Sequence, residues 1–253
     1  MFSKILKKQQ KPEAKIQLVC LHHAVGSAAM YLNWQSKLPE YVEVSAVQLP
    51  GRGNLLNLTS FDDIKAAAAD VVTLLENEVE KPYVIFGHSL GALLGFEVIR
   101  HLQQNHQKKL LAFVASGLSA PHIFTPKIRR DLMNDKELID LLAAYDKDRV
   151  KQDQAYFELL RLILPTARND FKMHDNYRFQ KQPDILSCPI IAIAGKQDNE
   201  HSIDNILLWR ELTNADFSSK IFPGGHMFLF DELDDFLDWF GNELNLIVAK
   251  NKL

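Results

Sequence analysis

Cysteine is almost missing from this chain: 253 residues hold two, Cys20 and Cys188. Two are too few for a disulfide framework, and both fall in or beside core-strand segments, so buried free thiols are expected. No apolar run approaches the roughly 18 residues that cross a bilayer as a helix, so no stable membrane insertion is expected. Neither sign of charge dominates. Twenty-nine Lys and Arg against 32 Asp and Glu leave a net charge of −3, with no electrostatic footprint for nucleic acid. No His or Cys grouping has metal-ligand spacing, and no glycine-rich phosphate loop appears, so neither metal nor cofactor is expected. Internal repeats and low-complexity tracts are also lacking. The stretch Met1 to Lys11 carries lysines without the apolar run of a secretory signal. Residues 1–15 are therefore expected to form a flexible tail, and the protein to be a soluble, cytoplasmic monomer.

What is present is an ordinary globular composition, 47% hydrophobic and 24% charged. Strand-like runs alternate with helical ones over the first half. Ile16–Leu21 precedes a helical Ala28–Leu38, and Val42–Val47 precedes an amphipathic run from Ile64 to Val79, for which Ser60-Phe-Asp-Asp reads as a capping box. Tyr83–Phe86, Ala92–Leu102 and Leu110–Ala115 continue the rhythm. That alternation predicts an α/β fold with a mostly parallel sheet flanked by helices. From about 119 to 182 strands disappear, and helices are expected over Lys127–Met133, Lys136–Tyr145 and Gln154–Leu164, with Pro165 ending the last. This reads as a helical lid inserted into a single domain spanning 16–250. The strand rhythm returns at Pro189–Gly195 and Ser218–Phe222, split by a helix over Ile203–Leu212, and a final helix runs from about Asp231 to Val248.

One stretch carries chemistry: Gly87-His88-Ser89-Leu90-Gly91, between a strand and a helix. In that context G-x-S-x-G is a nucleophile elbow, a tight turn that exposes the serine hydroxyl. A serine nucleophile needs a base and an acid to orient it. Chain order supplies Asp198, just past a strand end, and His226, in the Gly-Gly-His turn after the last strand. Glu200, Asp175, Asp184 and Asp204 are other acids within reach of the pattern; only Asp198 stands immediately at a strand end. His88 is expected to point away from the site, and His22 and His23 to brace the first loop. Oxyanion donors are expected from the backbone amides of Leu90, at a helix N-terminus, and Ala24, in the loop after the first strand. Ser, Asp, His is the chain order of α/β-hydrolases. A carboxylesterase or lipase-like hydrolase, or a non-catalytic binding protein of that fold, are readings such a triad leaves open.

The longer segments narrow this. His23-Ala-Val-Gly-Ser27, Val47-Gln-Leu-Pro-Gly-Arg-Gly53, Leu164-Pro-Thr-Ala-Arg-Asn-Asp170 and Phe222-Pro-Gly-Gly-His-Met-Phe228, with the elbow, resemble the type II thioesterases of nonribosomal peptide and polyketide synthesis. The resemblance runs from about Ile16 to Phe240. It implies an α/β-hydrolase fold and hydrolysis of acyl thioesters carried on the phosphopantetheine of an acyl or peptidyl carrier protein. It also implies an acyl-Ser89 intermediate and a role in editing mis-acylated carriers or in fatty-acyl release. Acyl transfer to an alcohol or amine remains an alternative to hydrolysis. Three positions depart from the family pattern: Val25 stands where glycine is usual, Leu21-His22 where Phe-Pro is usual, and Asp198-Asn199 where Asp-Pro is common.

Overall fold

The computed structural model describes residues 2–104, 109–126, 128–146, 151–180 and 185–253. Seven strands form one sheet: β1 (Lys4–Leu6), β2 (Ile16–Leu21), β3 (Val42–Gln48), β4 (Tyr83–His88), β5 (Leu110–Ser116), β6 (Ile190–Gly195) and β7 (Phe217–Phe222). Their order is β1-β3-β2-β4-β5-β6-β7, with β1 antiparallel and the rest parallel. β2 to β6 are buried, as the near-continuous apolar runs of a doubly covered parallel sheet require. The N-terminal segment corrects the sequence reading: residues 4–6, expected within a flexible tail, pair with Gln48 to Ala46 of β3. The amides of Phe2 and Ser3 are held by the Asp70 carboxylate. A three-residue run, Lys4-Ile5-Leu6, is too short to carry a strand signal; the free edge of β3 supplied its partner.

The helices are α1 (Ala29–Leu32), α2 (Ile64–Glu78), α3 (Leu90–Gln104), α4 (Asp135–Asp146), α5 (Gln154–Asp175), α6 (Ile203–Leu207), α7 (Phe228–Asp231) and α8 (Leu233–Lys250). α1 and α6 continue as 3₁₀ turns, over Asn33–Ser36 and Leu208–Leu212. α2 and α3 cover one sheet face, sharing a core with Val71, Leu75, Phe96 and Trp209. On the other face α1 and α8 pack an aromatic group, Trp34, Phe86, Phe236 and Phe240, with ring centroids 5.1–6.2 Å apart.

Three helix boundaries differ from expectation. Asp63, not Ser60, caps α2: its Oδ1 accepts from the amides of Lys65 and Ala66 at 3.0 and 2.8 Å. Of the helix expected over 127–133, only a 3₁₀ turn at Arg130–Leu132 forms, and Lys127 lies outside the described residues. Pro165 does not end α5, which runs on to Asp175. A proline inside a helix costs about 3 kcal/mol. Here Pro165 and Arg161, whose carbonyl it deprives of a partner, are both exposed, so water can satisfy that carbonyl. The turns beyond are tied down by side chains. Thr166 Oγ1 donates to the Gly51 carbonyl at 2.6 Å, and Arg168 reaches the carbonyl of Asp131 at 3.0 Å. Tertiary anchoring outweighs the local breaker.

α4 and α5 build a small core of their own, including Leu138, Leu160, Leu164 and Phe171, which rests on Ala24 and Val25. The parallel register aligns the strand ends beneath it. Leu21 lies opposite Gly87, His88 opposite Ser116, and Gly195 opposite Phe222. The loops that follow β2, β4, β6 and β7 therefore converge on the carboxyl edge, around the switch point between the neighbouring strands β2 and β4.

Candidate active site

Ser89 sits between β4 and α3 at φ 53°, in the left-handed region that a non-glycine residue seldom adopts. The turn is over-determined. Ser89 N donates to the Ser116 carbonyl at 2.8 Å, and the amides of Ala92 and Leu93 donate to the Ser89 carbonyl. Its glycines are required by contact: a Cβ on Gly87 would lie 2.2 Å from the Gly91 carbonyl oxygen, and one on Gly91 would lie 2.2 Å from that of Leu21. Backbone crowding thus explains both glycines of the pentapeptide. The Leu90 amide is the first of α3 and so precedes any intrahelical acceptor.

The loops after β6 and β7 are laced together. Gln197 N donates to the Gly224 carbonyl at 2.8 Å, and Gln197 Oε1 accepts from Gly224 N at 2.6 Å. That lacing brings His226 Nδ1 to 2.9 Å from Asp198 Oδ2. The Asp198 side chain is fully buried. Its other oxygen accepts from the amides of Glu200 and His201 at 2.8 and 3.1 Å. Burial raises the Asp198 carboxyl, but the bond to His226, that ring's charge and the Glu200 amide outweigh it and hold the carboxyl below its ordinary range. For His226, burial pulls the ring down, while the Asp198 bond and the charges of Glu200 and Asp198 carry it above its ordinary 6.5. With the carboxylate accepting from Nδ1–H, the neutral ring keeps Nε2 as its acceptor.

The other candidates have other partners or lie elsewhere. Asp175 pairs with Arg130 at 2.7 Å, Asp204 sits in the first turn of α6, and Asp184 lies outside the described residues. Glu200 accepts from Tyr145 Oη at 2.7 Å. His88 is buried with Nδ1 2.8 Å from Ser116 Oγ, and burial together with the neighbouring His226 pushes it well below its ordinary value. His22 and His23 do brace the first loop, through contacts of 2.9 and 2.7 Å to the carbonyls of His23 and Ala24. His201, which no sequence pattern singled out, lies 5.6 Å from the His226 ring. Its Nδ1 accepts from Ser119 N at 3.1 Å, and burial, then the charges of His226 and His174, push it down to about 3.

Ser89, His226 and Ala24 line one cavity of about 270 Å³. Its roof comes from α4 and α5: Leu142, Leu160, Ile163 and Phe171, with Val25 and Met30 below. Leu142, Leu160 and Ile163 of the insertion face this cavity, while Leu138 is fully buried in the α4–α5 core. A second cavity of about 700 Å³ adjoins it, sharing Arg130, Tyr145, His174 and Glu200 and reaching Asp198. Among the described residues no group of three or more His, Cys, Asp or Glu could hold a metal ion.

Between β2 and α1, Val25 takes φ 66°. A β-branched residue there is an outlier, which accounts for the glycine usual in the resembled family. Val25 N donates to Asp170 Oδ2 at 2.7 Å. Arg52 holds the same carboxylate with two bonds of 2.7 Å and also reaches the Gly26 carbonyl at 3.2 Å. Arg52 and Asp170 went unassigned in the sequence because 118 positions separate them.

A family model described as a thioesterase domain matches residues 16–243. Over 223 residues the chain is 33% identical to the thioesterase PikA5 of Streptomyces venezuelae, covering 87% of this chain and 78% of that one. It is 32% identical to the gramicidin S biosynthesis protein GrsT of Aneurinibacillus migulanus, over 93% and 91% of the two chains. Among solved structures, the type II thioesterase BorB from the borrelidin biosynthetic cluster superposes with a TM-score of 0.87 at 32% identity, covering 95% of this chain and 97% of that one.

Proposed function

The chain belongs to the thioesterase family and is a thioester hydrolase, and from that premise we propose that it cleaves acyl groups from the phosphopantetheine arm of carrier proteins through an acyl-Ser89 intermediate. One observation carries the assignment of roles: His226 is bonded to the buried Asp198 at 2.9 Å and lines the same apolar cavity as Ser89 on its strained elbow. In this reading His226 Nε2 takes the Ser89 proton as Oγ attacks the thioester carbonyl. The amides of Ala24 and Leu90 hold the oxyanion. Collapse expels the thiol, which takes its proton from His226. Water then attacks the acyl-Ser89 ester by the same proton path and releases the free acid. Asp198 keeps Nδ1 protonated throughout. The acyl chain lies against Leu142, Leu160 and Ile163.

The relatives' names support a biosynthetic setting: PikA5 and BorB are named as thioesterases, BorB as a type II enzyme of a biosynthetic cluster. Removal of misplaced acyl groups from carriers is the use assigned to it in this reading, and no bound cofactor enters the scheme. No helix among the described residues is long and apolar enough to cross a membrane. The test loads a carrier protein with a series of acyl groups and follows their loss by intact-protein mass spectrometry. The wild type unloads the carrier, and Ser89→Ala leaves it loaded. Faster turnover of p-nitrophenyl esters than of any carrier thioester would favour an esterase instead.

A further inference from the structure

The Arg52–Asp170 pair is buried, far from both Asp198 and Ser89 in sequence, and takes no part in the scheme above. Arg52 lies just after β3 and Asp170 on α5, beyond Pro165. Their side chains are 6% and 0% exposed. An ion pair that deep is weak evidence for stability, since desolvation offsets most of the attraction. What its atoms hold is more informative. Asp170 Oδ2 accepts from Val25 N and Arg52 Nη1, each at 2.7 Å, Asp170 Oδ1 accepts from Arg52 Nη2 at 2.7 Å, and Arg52 Nη1 also donates to the Gly26 carbonyl at 3.2 Å. The two residues therefore hold the N–H of the Ala24–Val25 peptide and the carbonyl of the Gly26–Ser27 peptide, and so bracket Val25. That is the residue held at φ 66°, directly after Ala24.

A valine in the left-handed region is strained and persists only where its surroundings impose it. Left to itself Val25 relaxes to negative φ. That rotation swings the adjoining Ala24–Val25 peptide and, through the Ala24 Cα, the preceding His23–Ala24 peptide that carries the Ala24 N–H. We propose that Arg52 and Asp170 are positioning residues that impose the left-handed conformation of Val25 and so aim the Ala24 amide at the reacting carbonyl. α5 thereby sets the oxyanion loop as well as roofing the cavity. The inference rests on the reading of Ala24 as an oxyanion donor.

The test uses the full chain and a carrier-bound acyl thioester, with rates referred to Ser89 sites titrated to completion by a fluorophosphonate. Asp170→Asn is expected to lower kcat by about 10- to 100-fold, the scale of a misaimed or lost oxyanion donor, with KM changed by less than about threefold. Arg52→Lys keeps the charge but loses the two-pronged grip, and is expected to lose roughly tenfold in kcat. Val25→Gly alone sets the reference rate for the double variants. In the Asp170→Asn background it restores kcat by at least about fivefold, because glycine adopts the left-handed region unaided. The acid limb of the pH profile stays in place in every variant, since His226 and Asp198 are untouched. If Asp170→Asn fails to fold, Arg52→Lys with and without Val25→Gly supplies the same comparison. The inference is overturned if Arg52→Lys keeps full kcat, or if Val25→Gly restores nothing to either variant. Failure of the functional reading looks different: there the wild type itself would leave the carrier loaded, or Ser89→Ala would unload it.

Discussion

Replacing Asp198 by asparagine removes one proton acceptor and nothing of the fold. Asp198 Oδ1 accepts from two backbone amides, Glu200 N and His201 N. The asparagine oxygen takes that place, because the amide nitrogen cannot accept there. Its NH2 then faces His226 Nδ1, where the carboxylate accepted at 2.9 Å. The ring must switch tautomer to receive it, leaving Nε2 protonated and unable to act as a base toward Ser89. By analogy with the wrong-tautomer variants of serine triads, kcat falls about 10⁴-fold, or roughly 5.5 kcal/mol of barrier. A second change distinguishes this from simple damage. In the wild type burial lowers the His226 pKa, but the Asp198 bond and the charges of Glu200 and Asp198 raise it above 6.5 overall. The base is lost as pH falls through that raised value, so the acid limb of kcat/KM lies above 6.5 in the wild type. Without the carboxylate, burial meets less opposition and the limb moves to lower pH even as the plateau drops. Stopped-assay detection of released thiol from pH 4.5 to 9 measures both. A variant within tenfold of wild type, or an acid limb that does not move down, refutes the reasoning.

Three further outcomes are expected. Gly87→Ala places a Cβ 2.2 Å from Gly91 O and 2.7 Å from Ala92 N, both backbone, so the elbow must open. Activity per folded molecule should drop ~10²-fold for a displacement near 1 Å, with a stability loss of about 1–3 kcal/mol; near-normal activity would show the elbow is not rigid. Gly241→Ala is the contrasting case: in the interior of α8 its Cβ meets Pro39 alone, Cδ at 3.5 Å and Cγ at 3.8 Å, both ordinary contacts. It should stabilise by roughly 0.5–1 kcal/mol, a rise of about 1–4 °C in Tm, and a fall in Tm would contradict the packing described. The third concerns acid. Burial and then the Arg52 charge lower His22 to about 3, and burial with neighbouring imidazolium charge does the same to His201. Their folded values lie below 6.5, so between pH 6.5 and about 3 the unfolded chain binds more protons. Stability should therefore fall with pH across that window. Asp175, which burial raises but His174 and Arg130 together hold at about 2, adds its loss only below 3.8. His201→Gln should flatten the slope by up to about 1.4 kcal/mol per pH unit in calorimetry at pH 4–6; an unchanged slope would place the sensitivity elsewhere.

The parts that were legible from the residues share one property: their signals lie within a few positions of each other. Apolar runs such as Ile16–Leu21 and Ile190–Gly195 announce a buried parallel strand, and a glycine on each side of Ser89 announces crowded backbone. Asp198 and His226 were readable because a parallel sheet delivers whatever follows its strands to one edge, and both follow strands. The failures were local signals overruled from a distance. Pro165 reads as a stop, yet Thr166 and Asp170 are anchored to Gly51 and Arg52, more than 110 positions away, and the helix carries on. Lys4 to Leu6 read as tail, and the open edge of β3 made them a strand.

The sequence by itself determined that this is an α/β chain with a serine elbow, an acid and a base in hydrolase order, and thioesterase segments along most of its length. Only the tertiary structure decided that Asp198 reaches His226, that Leu142, Leu160 and Ile163 roof the cavity, and that Arg52 and Asp170 clamp Val25 beside Ala24. The physical reason is range. Propensity, turn chemistry and crowding act between near neighbours and leave a pattern in the chain, whereas an ion pair spanning 118 residues leaves none until the fold closes.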